Sequence, residues 1–203
     1  MTAVATSDAW MEVCLIAVSK VGGSDIQFAS LTETVDIDIG EKGIEGIPLV
    51  NGGRVTKFTA QGDSSMTFEM YPLQAGTDTG TTGKGVFDLM NTVDTSVPIR
   101  VTNDRNRDKY RVLVLWTNDP TPTTAQATTA NTYSALRVGM AEGYFTSVKP
   151  SFTDGILKFT VVYKTAAFDK SGSGNIMVES CAGGSAPDVL PAIAAYTTAN
   201  KFG

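Results

Sequence analysis

The stretch LRVGMAEGYFTSVKPSFTDGILKFTVVYK, Leu136 to Lys164, decides the fold. Two runs rich in Val, Phe, Tyr and Ile flank Asp154-Gly155. Asp-Gly between such runs is the strongest short hairpin signal, because both central residues of the tight turn need positive φ. The sequence therefore predicts two antiparallel strands, one on each side of the turn. The first arm is long: from Leu136 to Lys149 it could reach roughly 46 Å at about 3.3 Å per residue. Gly139 and Gly143 are expected to bend or bulge it.

Other segments read the same way. VDIDI (Val35–Ile39) alternates, with Val35, Ile37 and Ile39 on one face and Asp36 and Asp38 on the other. SMTFEMY (Ser65–Tyr71) repeats the device, with Met66, Phe68 and Met70 opposed to Thr67, Glu69 and Tyr71. MEVCLIAV (Met11–Val18) reads as a buried strand. KYRVLVLWT (Lys109–Thr117) is apolar on both faces around Val112–Trp116, which places it centrally in a sheet. PIRV (Pro98–Val101) is expected to pair with it across a charged turn. Helix is scarce: GVFDLMN (Gly85–Asn91) gives one short helix with Val86, Leu89 and Met90 on one side. Asp188–Asn200 could form a second, capped by Asp188. Gly40–Arg54 and Asp119–Ser134 read as loops, the first glycine-rich yet carrying Ile44, Ile47 and Leu49.

Composition agrees with strands and turns. The 203 residues include 27 threonines and 20 glycines, and no internal repeat or linker divides them. The expectation is a single domain over 1–203, mainly β, an antiparallel β-sandwich or barrel with one short packed α-helix. The net charge of −5 argues against a basic nucleic-acid footprint. The N-terminus lacks the pattern of a secretion signal, and the apolar runs are too short to span a bilayer, so no membrane contact is expected. Cys14 and Cys181 could pair or remain two buried thiols.

Catalytic constellations fail on inspection. There is no histidine, which removes the Ser–His–Asp triad. No Ser-x-x-Lys occurs. AGTDTGTTGKG (Ala75–Gly85) resembles a phosphate loop only in composition. The first glycine that loop needs falls at Asp78, and the magnesium-binding hydroxyl falls at Gly85. Asp104-x-Asn106-x-Asp108 opens like a calcium loop, but Lys109 replaces the turn glycine and Leu115 the bidentate Glu. No cofactor, metal or enzymatic activity is expected. Glu33, Asp36, Asp38 and Glu69 are the notable polar set. They are either the solvated face of alternating strands or a field gathered on one surface, since like charges set close together cost energy.

LTETVDIDIGEKGIEGIPLVNGGRVTKFTAQGDSSMTFEMYPL (Leu31–Leu73) resembles the front half of tail tube proteins of tailed viruses. DGILKFTVVYKTAAFDKSG (Asp154–Gly172) is similar to that family's closing hairpin and its exit. The resemblance spans about two thirds of the chain and is one of β topology more than of chemistry. It implies a structural subunit with extended inter-subunit loops. Copies would form hexameric rings stacked into a hollow tube in the virion tail, through which the genome is ejected. Two hairpins per subunit would line the channel. Glu33, Asp36, Asp38 and Glu69 become candidate channel-lining residues of an acidic wall that keeps DNA off its surface. Ile44, Ile47 and Leu49 become a candidate ring–ring contact loop. Implied partners are further copies, tape measure, terminator and baseplate proteins, a sheath where the tail contracts, and transient viral DNA.

Two rival readings are a β-sandwich binding module for carbohydrate or receptor, using Trp10, Trp116 and Tyr133, and a hydrolase working through carboxylates such as Glu69. As the loop before Gly85–Asn91 is read as a strand exit, Lys84→Ala should leave assembly unchanged. Titration calorimetry should find no ATP binding in either form; measurable affinity that disappears with Lys84 would refute this assignment.

Overall fold

The structure is a computed structural model that describes residues 13–21, 30–31, 34–70, 89–90, 103–118, 135–181 and 201. Leu136–Lys164 folds as the sequence dictates. Strand β8 (Ala135–Thr153) and strand β9 (Ile156–Thr165) pair in register down to Thr153 opposite Ile156. Asp154 and Gly155 make the turn with φ of 55° and 77°, the two left-handed residues that a type I′ turn requires. Here β1 is Val13–Lys20, β2 Ser30–Leu31, β3 Val35–Asp38, β4 Lys42–Pro48, β5 Arg54–Gln61, β6 Ser64–Met70, β7 Tyr110–Thr117 and β10 Ile176–Cys181.

One antiparallel sheet runs in the order β2-β1-β7-β8-β9-β6-β3, with β10 added to β8. β4 and β5 form a separate two-stranded sheet. The main sheet curls as a half-barrel around one cluster, so a single layer does what a sandwich does with two. Ile16, Val18, Val112, Val114, Met140, Phe145, Val161, Met66 and Phe68 all point into that cluster. They come from strands spread across the sheet, which explains why the sheet must wrap. Leu89 plugs it, fully buried, with Met90 against it. The rest of the expected helix Gly85–Asn91 lies outside the described residues, as do Asp188–Asn200 and Asp119–Ser134.

β7 is central, as its apolar pattern predicts. β1 occupies one edge along its whole length and β8 the other. No edge is left for the expected hairpin with Pro98–Val101, which lies outside the described residues. The second face of β7 packs Leu113 and Leu115 against Leu15, Ala17 and Ala135. That face also holds Arg111 and Arg137, both fully buried. Arg111 Nε donates to Ser19 Oγ at 3.0 Å, and Arg137 Nε to Glu179 Oε2 at 3.0 Å. Buried guanidinium groups demand such partners. Cys14 carries a free thiol whose pKa burial pushes up to about 12. β7 and β8 separate its strand from that of Cys181, roughly 14 Å at about 4.8 Å per strand. That is too far for a disulfide.

The register of β8 shifts twice: against β7 opposite Tyr110–Val112, and against β9 between Phe145 and Ser147. Both irregularities flank Gly143 rather than Gly139. At Gly143 a side chain would stand 2.5 Å from the ring Cζ and the hydroxyl of buried Tyr163. The missing Cβ lets Tyr163 cross β8 and donate its hydroxyl to the Tyr110 carbonyl at 2.7 Å. Gly143→Ala should therefore cost about 2 kcal/mol or more by overpacking. Urea unfolding would show it as a lower midpoint; an unchanged midpoint would mean that both Tyr163 and the Lys164 carbonyl, which a Cβ would also meet, can yield.

Candidate functional site

β8, β9, β6 and β3 lie side by side. Alternation sends Val148, Val161, Phe68 and Ile37 into the core and the intervening residues outward. The outward face therefore reads across strands: Asp36 beside Thr67 beside Val162, and Glu69 beside Thr160 beside Lys149. Asp36 and Asp38 are exposed and Glu69 is half-buried. These three expected residues share one face; Glu33 lies outside the described residues. Three lysines that sequence analysis did not place there, Lys149, Lys158 and Lys164, stand on the same face. Lys158 Nζ lies 3.8 Å from Glu69 Oε2. The face carries both signs, because β9 and β8 alternate lysine with threonine and serine where β3 alternates aspartate.

Among the described residues, both sides of this four-stranded unit end in open backbone. β3 closes the strand order, and no described strand lies beyond it. On β8, the described strands leave the edge away from β9 unpaired over Ser147–Thr153. Thr153 and Ile156 close the two-residue hairpin as a hydrogen-bonded pair, so alternation turns the amide positions of Val148, Pro150 and Phe152 to the open edge. Pro150 sits where its missing N–H breaks no bond to β9.

Gly40–Arg54 is not a loop. Its residues Lys42–Pro48 form β4, paired with β5, with Ile44 opposite Phe58 and Ile47 opposite Val55. Glycines at 43 and 46 obscure the alternation in the sequence. Gly40, at φ 78°, turns the chain out of β3, and a side chain there would meet the Gly62 carbonyl at 2.6 Å. The arm is exposed on both faces, including Ile44 (69%), Ile47, Leu49 and Phe58 (77%). The β8–β9 tip exposes Phe152, Ile156 and Leu157. Ser64 is level with Thr165 and Met70 with Phe159. The arm and the tip therefore leave the sheet at opposite ends.

No protein family and no curated protein matches the sequence. Solved structures do. Among them are single chains from extracellular contractile injection systems. A chain of the PVC sheath-tube complex, from an extracellular contractile injection system in the extended state, is 14% identical. It covers 89% of this chain and 99% of its own, with a TM-score of 0.48. A chain of the PVC sheath/tube terminator is also 14% identical, covering 81% and 93%, with a TM-score of 0.46. Hcp1 from Flavobacterium johnsoniae is 13% identical, covering 84% and 96%, with a TM-score of 0.34.

The remaining candidate features are structural in their geometry. Asn106, in the calcium-like stretch, turns inward: its Nδ2 donates to the Tyr110 hydroxyl at 2.7 Å and its Oδ1 accepts from the Asp108 amide. Asp108 pairs with Lys20 at 2.7 Å. Among the described residues no three metal-ligating side chains gather. Trp116 packs against the core, while Trp10 and Tyr133 lie outside the described residues.

A groove of about 720 Å³ opens between Lys109, Glu142, Tyr144, Lys164 and Asp169. At its rim Lys201 bonds Asp169 and Asn175, and its carbonyl accepts from Arg111 Nη1 at 3.4 Å. Lys201 is thus tied to the sheet through Arg111 and to the Asp169–Asn175 turn. The hydrogen bond from Lys201, then the Ser173 amide, lowers the Asp169 pKa to about 2. A depressed carboxylate stabilises the fold fully above its ordinary value and loses that contribution as pH falls through about 2. Lys201→Met should raise the Asp169 midpoint toward 3.8 in a carboxyl NMR titration; an unmoved midpoint would assign the shift to the backbone amides alone.

Proposed function

We propose that this chain is a structural subunit that closes into rings, and that the rings stack into the hollow tube of a virus tail or a related injection machine. The observation that carries the reading is the four-stranded unit β3-β6-β9-β8, polar on its outer face and, among the described residues, unpaired along the outer edge of β3 and along Ser147–Thr153 of β8. Unpaired edges invite pairing with other chains, and closing a barrel removes them. In a cyclic ring every copy keeps the same strand direction. Four alternating strands then set β8 of one copy antiparallel to β3 of the next, the arrangement a ladder needs. The sequence resemblance to tail tube proteins supports the same reading and its hexameric form.

In that ring the polar face of β3, β6, β9 and β8 lines the channel, with Asp36, Asp38 and Glu69 among its residues. A wall of both signs offers passing DNA no net attraction, since affinity for phosphate needs an excess of Lys and Arg. The arm, with Ile44, Ile47 and Leu49, docks on the adjacent ring. Arm and tip sit at opposite ends, so head-to-tail stacking buries each against another copy, a contact that propagates rather than closes. The partners that follow are copies of itself, terminator, tape-measure and baseplate proteins, a sheath where one is present, and DNA in transit within the virion tail.

Purified protein should show rings or tubes with a central hole by negative-stain microscopy. Compact single molecules at high concentration would refute the reading. Ile44→Asp with Phe58→Asp should leave rings intact and abolish their stacking, because the arm touches the body of its own subunit little; long tubes from this variant would remove the arm from the ring–ring contact.

A further inference from the structure

Charge is not spread evenly over the four-stranded face. The edge strand β3 presents Asp36 and Asp38, both exposed. β8, at the far side of the unit, presents Lys149, also exposed. Between them Glu69 and Lys158 already satisfy one another. Among the described residues neither Asp36 nor Lys149 has an ion-pair partner. Within one subunit they cannot meet, because β6 and β9 separate their strands, roughly 14 Å at about 4.8 Å per strand.

The cross-strand register fixes their level along the strands. Asp36 is level with Thr67, Val162 and Ser147, and Lys149 lies two residues further along β8 on the same face. β8 and β3 of adjacent copies, placed beside one another, bring the lysine-bearing edge against the aspartate-bearing one; at the stagger that sets Lys149 diagonal to Asp36, the strand positions are about 7–8 Å apart, which a lysine side chain spans. Opposite charges at the two sides of one unit make the two edges complementary to each other. Each edge is at the same time repelled by a second copy of itself.

Resting on the ring reading above, we infer that the occupant of both open edges is a second copy of this chain, joined by an ion pair between Lys149 of one copy and Asp36 of the next. Asp38 adds to the negative side, although its Oδ1 also accepts from the Gly40 amide at 2.9 Å. The pair selects the heterologous β8-to-β3 contact, which leads round a ring. It disfavours the β3-to-β3 and β8-to-β8 contacts, which would end in closed dimers.

Charge reversal tests this. Asp36→Lys alone and Lys149→Asp alone should each raise the concentration needed for ring formation by about tenfold or more, because like charges then face each other at every junction. The double variant Asp36→Lys/Lys149→Asp should restore rings near the parent concentration. Sizes would be read by light scattering and shapes by negative stain. Circular dichroism of the single variants would show that they fold, which is expected because both positions are exposed. If the parent forms rings and the single variants assemble as it does, or the double variant does not recover, the ion pair is wrong and the ring stands. If the parent forms no rings at any concentration, both fall together.

Discussion

A backbone amide taken out of water must find an acceptor, and β8 is where this chain meets that demand. Its first half is bonded on both sides, by β7 along Ala135–Gly143 and by β10 along Ala135–Met140. Among the described strands, its second half is bonded on one side, by β9. β9 and β10 share a single edge of β8, end to end. β8 therefore belongs to two units at once: the buried body built on β1 and β7, and the four-stranded wall that ends at β3. Its register irregularities on either side of Gly143 lie where one unit gives way to the other. A bulge bends a strand and increases its twist, which is what carries the sheet around its core instead of leaving it flat.

The two faces of the body obey different rules. The inner face is filled by large apolar side chains, with Phe145 against the rings of Phe68, Tyr110 and Tyr163 at centroid distances of 5.2 to 6.5 Å. Edge-on rings of this kind pack densely, and the two buried tyrosine hydroxyls among them are hydrogen-bonded, one to Asn106 and one to the Tyr110 carbonyl. The other face of β1, β7 and β8 mixes small apolar residues with Arg111 and Arg137. Breaking a buried charge from its partner is strongly destabilising. Glu179 is the charged partner of Arg137 on that face, and β10 is held to β8 through this pair as well as through its ladder.

Where side-chain period or turn chemistry carries the information, the sequence is legible. The Asp154-Gly155 turn, the alternation of β3 and β6, the central place of β7 and the burial of Leu89 all follow from residues a few positions apart. The β4–β5 arm was hidden because Gly43 and Gly46 interrupt its alternation and neither face is buried, so no apolar period marks it. Arg111 and Arg137 were hidden because arginine in a strand reads as a solvated residue, and its burial depends on partners that are tens of residues away. The lysines beside Asp36 and Glu69 were invisible for a related reason: which residues share a face across four strands is set by register, and register is a tertiary fact. The acids could be read as a row, but not as one side of a mixed surface.

Lysines and prolines on open strands are also how monomers keep their edges from pairing, and β8 carries both Lys149 and Pro150. The protective and the adhesive arrangements differ in what the opposite edge carries. A monomer gains most from edges that repel every copy in every orientation, as two lysine-bearing edges would. Here the opposite edge bears aspartates, so repulsion holds only between like edges and turns to attraction between unlike ones. Pro150 removes one donor from the β8 edge and leaves the amides of Val148 and Phe152 on either side of it. That shortens the ladder that can form with a neighbour without abolishing it. With the backbone contribution reduced, side-chain charge gains weight in choosing the partner edge. In the proposed ring the same few residues discourage unregistered aggregation and favour the one junction that repeats.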